Sequence, residues 1–241
     1  MSKEKKSNVH LEELKKRRSY LEDKNRPEAV AKRREKGGRT ARENVDDLCD
    51  KDSFLEFGSL TVAGQRGRRS MEDLMKNTAA DGLVAGIGSV NGDLFDQDQS
   101  QCAVLCYDYP VLAGTQGAFN HKKTDRLLQV VDETGLPIIF FVEGGGGRPG
   151  DVDFDNVSCG GLDLKTFSDY ARLSGNVPRI AIVSGYCFAG NAAIAGCSDV
   201  IIATKNISLG MGGPAMIEGG NLGRHHPKDV GPFDVHLKNG V

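Results

Sequence analysis

The sequence predicts an α/β fold with a largely parallel sheet, and three observations carry this prediction. Short apolar runs of strand length alternate with helix-like segments from residue 54 onward. Glycine follows several of these runs, and 31 glycines make up about 13% of the 241 residues, against roughly 7% in an average protein. A chain of this length can bury a large core, and no repeat with a period of about 20–50 residues is evident.

Composition excludes several classes of protein. The formal net charge of −2 argues against a protein whose main partner is nucleic acid, because such domains are usually basic. No apolar stretch approaches the roughly 20 residues of a membrane helix, and the chain opens on Lys/Glu-rich sequence, so we expect no membrane partner and a cytoplasmic location. The cysteines form no C-x-x-C pair, so we expect no metal site; they are Cys49, Cys102, Cys106, Cys159, Cys187 and Cys197.

Residues 1–50 are predicted to form a helical N-terminal arm. Pro27 begins a helical segment that two glycines end, which is typical helix punctuation. Thr40 and Glu43 have the spacing of a capping box that opens a short helix through Leu48. These helices are too polar to form a core alone. Their basic run is either a solvated helix face or a surface for a partner or an anionic ligand.

Residues 51–241 are predicted to hold the sheet. The first strand, 83–90, ends at Asn91 and Gly92, which is a strong hairpin signal. The other predicted strands cover 102–109, 137–142, 179–184 and 199–203, and the predicted helices cover 120–133, 162–173 and 189–195.

A first glycine cluster, residues 143–150, follows a predicted buried strand. It lacks the lysine and hydroxyl of a P-loop and the spacing of a dinucleotide-binding motif. Four consecutive glycines leave backbone N–H groups uncovered, so the chain can approach a ligand oxygen closely. The alternative is a flexible loop without a ligand.

A second cluster, residues 185–191, lies between a strand and a small-residue helix. A tight turn there could deliver two N–H groups to a developing oxyanion, or it could simply be a close-packed turn. Cys187 lies in this turn, but no general base is evident beside it, so thiol catalysis is disfavoured.

Two further segments are weaker candidates. Gly212 and Gly213 follow the last predicted strand, where tight packing explains glycine as well as ligand contact does. Lys122 and Lys123, at the predicted start of a helix, could meet phosphates or could be a solvated pair.

Several of these blocks share a pattern with one known family. Residues 32–58 contain a basic helix, a T-A-R-E turn and a D-x-x-S-F stretch. Residues 143–148 are similar to a D-S-G-G-A-R loop, and residues 187–191 are similar to a C-A-G-G-A turn. Together with the closing segment 230–241, they resemble the carboxyltransferase component of biotin-dependent acyl-CoA carboxylases.

The resemblance implies a crotonase-like fold (ClpP/crotonase type), a ββα superhelix with an α-helical N-terminal extension. It implies an acyl-CoA substrate such as acetyl-CoA or propionyl-CoA, whose thioester enolate is held by the backbone N–H groups of Ala189 and Gly190. The implied acyl-CoA contacts are Gly145, Gly146, Gly147, Arg148, Tyr186, Gly212, Gly213, Lys122 and Lys123.

The same resemblance implies partners that this sequence lacks. Biotin would be carried on a separate chain or domain, beside a biotin carboxylase, and the chain would form a homo- or hetero-oligomer. Residues 51–241 resemble only the N-terminal half-domain, so a complementary half-domain is also expected. Ala189 stands where the family commonly has glycine, and alanine donates comfortably only if its φ is negative.

Three alternatives stay open at this point. A biotin-dependent decarboxylase would run the same transfer in reverse. A crotonase-like acyl-CoA hydratase or isomerase would need a pocket acid or base, for which Glu143 is the candidate. A non-catalytic assembly subunit of a carboxylase complex would use the basic N-terminal helices as its interface.

Overall fold

The computed structural model describes residues 8–154 and 164–241. Its strands are β1 Leu55–Glu56, β2 Leu83–Ser89, β3 Gln101–Tyr107, β4 Ile138–Phe141, β5 Arg179–Val183, β6 Tyr186–Phe188, β7 Val200–Ala203 and β8 Ser208–Gly210. A six-stranded sheet has the order β1-β2-β3-β4-β5-β7, and a two-stranded sheet pairs β6 with β8. β1 and β2 are antiparallel, as are β2 and β3, whereas β3, β4, β5 and β7 run parallel. The predicted α/β class with a mostly parallel sheet is confirmed.

The helices of the described residues fall into three groups along the chain. The arm holds α1 Val9–Ser19, α2 Pro27–Glu35 and α3 Ala41–Leu48; the sheet region holds α4 Met71–Asn77, α5 Gln97–Ser100, α6 Ala118–Thr134, α7 Thr166–Arg172 and α8 Gly190–Gly196; the C-terminal part holds α9 Pro214–Gly219 and α10 Phe233–Asn239. The Thr40–Glu43 capping box is present at the start of α3. Gly135 ends α6 in the left-handed conformation, which is typical of a glycine just past a helix.

Two apolar layers hold the main sheet. The larger cluster joins α6, α7 and α8 to the strands and centres on Phe140, Leu127 and Tyr170. The smaller cluster lies under α3, whose Ala41 and Val45 pack on alternate residues of β2 and β3. α3 therefore belongs to the packed body, whereas α1 buries no residue.

Three details of the sequence prediction need correction or completion. β2 and β3 do pair antiparallel, but they are joined by residues 90–100, which include α5, rather than by a two-residue turn at Asn91-Gly92. The predicted helix 162–173 is observed from Thr166 to Arg172, and residues 162 and 163, like Cys159, lie outside the described residues. β6 and β8, with three residues each, are too short to give an alternating pattern.

The topology brings the two glycine clusters together. β4 and β5 are neighbours in the parallel part of the sheet, so their carboxyl ends lie at the same edge. The loops that leave these ends are residues 143–150 and 184–189. Ligands of parallel sheets commonly bind at this edge.

Candidate active site

The two glycine loops are in direct contact. Gly144 donates its N–H to the carbonyl of Tyr186 at 2.8 Å and accepts from the N–H of Phe188 at 2.9 Å. Further along, a Cβ added at Gly146 would lie 2.6 Å from the Cβ of Ala189 and 3.6 Å from the nitrogen of Gly190. No side chain fits at Gly146, so the glycine is required for this approach.

The N–H groups at this contact that have no acceptor among the described residues include those of Gly147 and Gly190, one on each loop. Gln116 forms an isolated bridge with Gly147: the Gln116 N–H donates to Gly146, and its carbonyl accepts from Arg148. The N–H of Gly147 therefore points away from Gln116. These two groups are the candidate oxyanion donors of the site.

Ala189 differs from its predicted role. Its N–H donates to the carbonyl of Gly210 at 3.2 Å, because the parallel pairing of β6 with β8 continues to this residue. Its backbone has φ 51° and ψ −120°, a region that favours glycine. Of the predicted donor pair Ala189 and Gly190, the N–H of Ala189 is therefore engaged within the protein, and the donor role of the pair stays a prediction.

Asn191, which replaces a small residue of the family pattern, ties the loops together. Its side-chain oxygen accepts the N–H of Gly146 at 2.9 Å, and its amide nitrogen donates to Gly114 at 3.3 Å. Sequence reasoning missed this role, although a buried asparagine at the start of a small-residue helix was the available signal.

Arg148 is predicted as an acyl-CoA contact, but its guanidinium is buried in the protein. It forms ion pairs with Asp81 and Asp151 and donates to the carbonyl of Thr115 at 2.8 Å. Burial raises the pKa of Asp81, although Arg148 opposes this shift. Arg148 therefore fixes the end of the glycine loop to the core, and its charge is paired inside the protein.

A cavity of about 610 Å³ opens beside the second loop. Arg33 and Lys36 of the arm and His226 of the C-terminal part line it. Tyr186 also lines it, as predicted for an acyl-CoA contact, and the other lining residues include Gly38, Tyr109, Glu143, Ser184, Gly185, Asn206 and Pro227. An adjoining cavity of about 330 Å³ adds Lys32. The basic arm thus lies against this opening.

Glu143 begins the first glycine loop and is engaged by the arm. Both carboxylate oxygens pair with the Arg33 guanidinium, one at 2.9 Å, and both side chains are 8% exposed. Burial raises the pKa of Glu143 to about 7, against the opposing effect of Arg33. A carboxylate held on both oxygens is poorly placed to act as the acid or base of a hydratase.

Lys122 and Lys123 lie in the second turn of α6 and not at its start. The ammonium of Lys123 is buried and donates to the carbonyls of Leu83 and, at 2.9 Å, Ala80. Burial lowers the pKa of Lys123 to about 8. The ammonium of Lys123 is therefore engaged inside the protein, whereas Lys122 is exposed over the rings of Phe119 and Phe154. The acyl-CoA roles of both lysines stay predictions.

The remaining predicted residues are placed as follows. Gly213 packs on Phe188, where an added Cβ would lie 3.5 Å from that side chain. The thiol of Cys187 is fully buried and faces the carbonyl of Val142 at 3.0 Å. Burial raises the pKa of this thiol. Gly145 donates its N–H to Ala113 at 3.1 Å. The acyl-CoA roles of Gly145, Gly146, Gly147, Tyr186, Gly212 and Gly213 stay predictions.

Phe167 joins α6 and α7 behind the loops. Its ring is edge-on to the ring of His121 at 5.8 Å, and it is 2.9 Å from a Cβ added at Gly190. His121 shares a hydrogen bond of 2.9 Å with the hydroxyl of Thr166. Burial lowers the pKa of His121 to about 4.

Membrane-spanning helices and metal-binding groups are both absent from residues 8–154 and 164–241. None of the helices described there has both the length and the apolar character needed to cross a membrane. Within the same residues, no group of three or more His, Cys, Asp or Glu side chains could hold a metal ion.

Comparison with known proteins gives one family. The profile of the carboxyl transferase domain matches residues 32–238. The methylmalonyl-CoA carboxyltransferase 12S subunit of Propionibacterium freudenreichii subsp. shermanii is 30% identical over 86% of this chain and 37% of its own length. The methylcrotonoyl-CoA carboxylase beta chain of Dictyostelium discoideum, a mitochondrial protein, is 29% identical over 84% of this chain and 32% of its own length.

Solved structures agree with this match. A single-chain, multi-domain long-chain acyl-CoA carboxylase is 54% identical with a TM-score of 0.91, over 98% of this chain and 23% of that chain. The transcarboxylase 12S hexamer with hydrolysed methylmalonyl-CoA bound is 28% identical with a TM-score of 0.74, over 96% of this chain and 43% of that chain. The crotonase-like fold implied by the resemblance is confirmed. The chain spans about a third of the length of the curated relatives it matches.

Proposed function

The chain belongs to the carboxyl transferase domain family, and from this premise we propose that it binds an acyl-CoA and holds the thioester for carboxyl transfer from carboxybiotin. The main support is that the N–H groups of Gly147 and Gly190 have no hydrogen-bond acceptor among the described residues and lie on two loops in contact. When the α-carbon of a thioester loses its proton, negative charge develops on the carbonyl oxygen. Two fixed N–H donors stabilise that charge without needing an acidic side chain.

The cavity beside Tyr186 would receive the rest of the ligand. Coenzyme A carries several negative phosphate charges, and Lys32, Lys36 and His226 supply positive or protonatable groups around the two adjoining openings. β6 runs from Tyr186 in this cavity to Phe188, two residues before Gly190. The cation-lined opening and the candidate donors are therefore joined by one short strand, which suits an extended pantetheine arm.

The partners and the location belong to the same proposal. The transferable carboxyl group is supplied by biotin when it is bound, and we assign no residue of this chain to biotin. A complementary half-domain, a biotin carrier and a biotin carboxylase would come from other chains or domains, in a homo- or hetero-oligomer. We place this enzyme in the cytoplasm. The two named relatives act on methylmalonyl-CoA and methylcrotonoyl-CoA, and the long-chain enzyme is closer in sequence.

The donor assignment is tested with two variants at one position in the assembled enzyme. A Cβ at Gly147 would meet nothing within 4 Å, so Gly147→Ala should transfer carboxyl groups within a few-fold of the wild-type rate. Gly147→Pro removes the N–H, and we expect kcat to fall by about 10²–10³. Equal rates for the two variants, with both folded, would rule out Gly147 as a donor.

Acyl-CoA binding separates an enzyme from a non-catalytic assembly subunit. Calorimetry on the 241-residue chain should detect acyl-CoA binding, and Lys36→Gln should weaken it several-fold. Lys238→Gln, in α10 and outside both cavities, is the matched control. Absence of binding would favour the assembly subunit. Turnover of an enoyl-CoA without biotin, abolished by Glu143→Gln, would favour the hydratase.

A further inference from the structure

A separate cavity of about 390 Å³ lies beneath α1, on a part of the molecule that the proposed reaction does not use. Its volume falls within the range of about 300–1,000 Å³ that small-molecule sites occupy. It is lined by Glu13, Arg17, Leu60, Thr61, Val62, Arg66, Met71, Met75 and Phe119. We call it the α1 groove.

The α1 groove faces away from the glycine loops. Phe119, in the first turn of α6, lines the groove, whereas His121 on the same helix packs on Phe167 behind Gly190. Two residues apart on a helix are about 200° apart around its axis. The groove and the glycine loops therefore lie on different faces of α6.

The floor of the α1 groove is apolar and adaptable. Leu60, Val62 and Phe119 supply aliphatic and aromatic surface, and two methionines, Met71 and Met75, add flexible thioether chains. Met71 remains 39% exposed. Methionine side chains adjust to irregular apolar ligands more readily than branched side chains do.

The edge of the α1 groove carries an excess of positive charge. Arg66 is exposed and has no ion pair within the described part of the chain. Arg17 donates to the carbonyl of Leu60 at 2.9 Å, which holds its guanidinium at the groove. Lys122 places its ammonium 5.8 Å from the ring centroid of Phe119.

The acids near the groove are fewer. Glu13 lines it. Asp153 accepts the backbone N–H groups of Arg66 and Gly67, at 2.8 and 3.0 Å, and keeps its negative charge. The three cations Arg17, Arg66 and Lys122 thus outnumber these two acids. The groove therefore combines an apolar floor with a positively charged edge.

We propose that the α1 groove is a second ligand site, for an alkyl carboxylate whose chain lies on the apolar floor and whose carboxylate meets Arg66. Neither part of the ligand suffices alone. A short carboxylate lacks the apolar contact, and an uncharged or cationic chain lacks the partner for Arg66. The proposal does not depend on the carboxyl-transfer chemistry, since it involves no residue of the glycine loops.

The first experiment measures the affinities of acetate, octanoate and decanoate for the 241-residue chain by calorimetry, below their micelle concentrations. Each methylene that becomes fully buried tightens binding about fourfold. We expect no detectable acetate binding and at least fourfold tighter binding of decanoate than of octanoate. Decyltrimethylammonium has a similar chain with the opposite charge and should bind at least tenfold more weakly than decanoate. Equal binding of the two would overturn the proposal.

Variants then locate the site. Arg66→Gln should weaken decanoate binding about fivefold, as expected for a partly exposed ion pair, whereas Arg18→Gln, exposed on α1 outside the groove, should leave it unchanged. Met71→Asp should weaken binding at least tenfold. Asp is favoured in the first turn of a helix, where Met71 lies, so this variant should fold. Unchanged affinity in both Arg66→Gln and Met71→Asp, with thermal melts intact, would exclude the α1 groove.

Discussion

Two buried arginine–carboxylate clusters flank the glycine loop, and they differ in where their partners come from. At the start of the loop, Glu143 pairs with Arg33, which is 110 residues away in the helical arm. At its end, Arg148 pairs with Asp81 and Asp151. Both clusters position the same four glycines, but only the first involves the arm.

The two clusters also differ in how fully they are enclosed. The side chains of Arg148, Asp81 and Asp151 are 4%, 0% and 6% exposed, and one arginine balances two carboxylates. Arg33 balances a single carboxylate, donates to the carbonyl of Arg39 at 2.9 Å and borders an open cavity. The Arg148 end of the loop is therefore fixed by residues of the core, whereas the Glu143 end is covered by α2 of the helical arm.

The largest expected effect is the loss of Arg148. Arg148→Met leaves two buried carboxylates without their cation, and breaking a buried ion pair in this way typically costs about 3–5 kcal/mol. Urea unfolding would measure the loss in free energy of unfolding. Arg126→Met, at an exposed arginine on α6, should stay within about 0.5 kcal/mol of wild type. A loss of the same small size at Arg148 would contradict the anchoring role.

Loss of Arg33 should cost less, about 2 kcal/mol. Glu143 is a single carboxyl group whose raised pKa lets it take up a proton when its partner is removed, whereas loss of Arg148 leaves two neighbouring buried carboxyl groups without their shared cation. Arg34→Met is the matched control, because Arg34 is the next residue and pairs with Glu43 at the surface; such pairs contribute up to about 1 kcal/mol. Equal losses for Arg33→Met and Arg148→Met would remove the distinction between the two ends.

The pH dependence of stability also distinguishes the first cluster. Burial raises the pKa of Glu143 from an ordinary 4.5 to about 7, so between these values the folded protein binds the proton more tightly than the unfolded chain does. The stabilisation is fully present below pH 4.5 and is lost as the pH rises through 7. The free energy of unfolding of wild type, minus that of Glu143→Gln, should therefore decrease over this window. Parallel pH curves for the two proteins would show that Glu143 has an ordinary pKa.

Much of the fold could be predicted from local signals. The capping box at Thr40, the glycine that ends α6 and the apolar runs of β3, β4 and β5 act within a few residues of themselves. The link between β2 and β3 was mispredicted because Asn91-Gly92 does start a turn, with φ 58° at Asn91, but several more residues intervene before the partner strand. The Asn91-Gly92 dipeptide therefore does not by itself determine how β2 connects to β3.

The two loops of the candidate site could be indicated from the sequence, but their individual contacts could not. Glycine after buried strands correctly indicated the two loops that meet. Whether Ala189 offers its N–H depends on Gly210, and whether Lys123 reaches solvent depends on Ala80 and Leu83. The partner of Glu143 lies 110 residues away. These contacts are long-range, and neither spacing nor periodicity reports them.

The smallest prediction concerns the point between the two clusters where the loops touch. Ala189 is held at φ 51° and ψ −120°, which glycine adopts without strain, so Ala189→Gly should raise the free energy of unfolding by about 1 kcal/mol. Ala193→Gly, inside α8, should lower it by about 0.5–1 kcal/mol. Both changes remove one methyl group, so opposite signs in urea unfolding isolate backbone strain from lost packing. Destabilisation by Ala189→Gly would instead mean that the Ala189 methyl group, packed against Gly146, contributes more than its strained backbone costs.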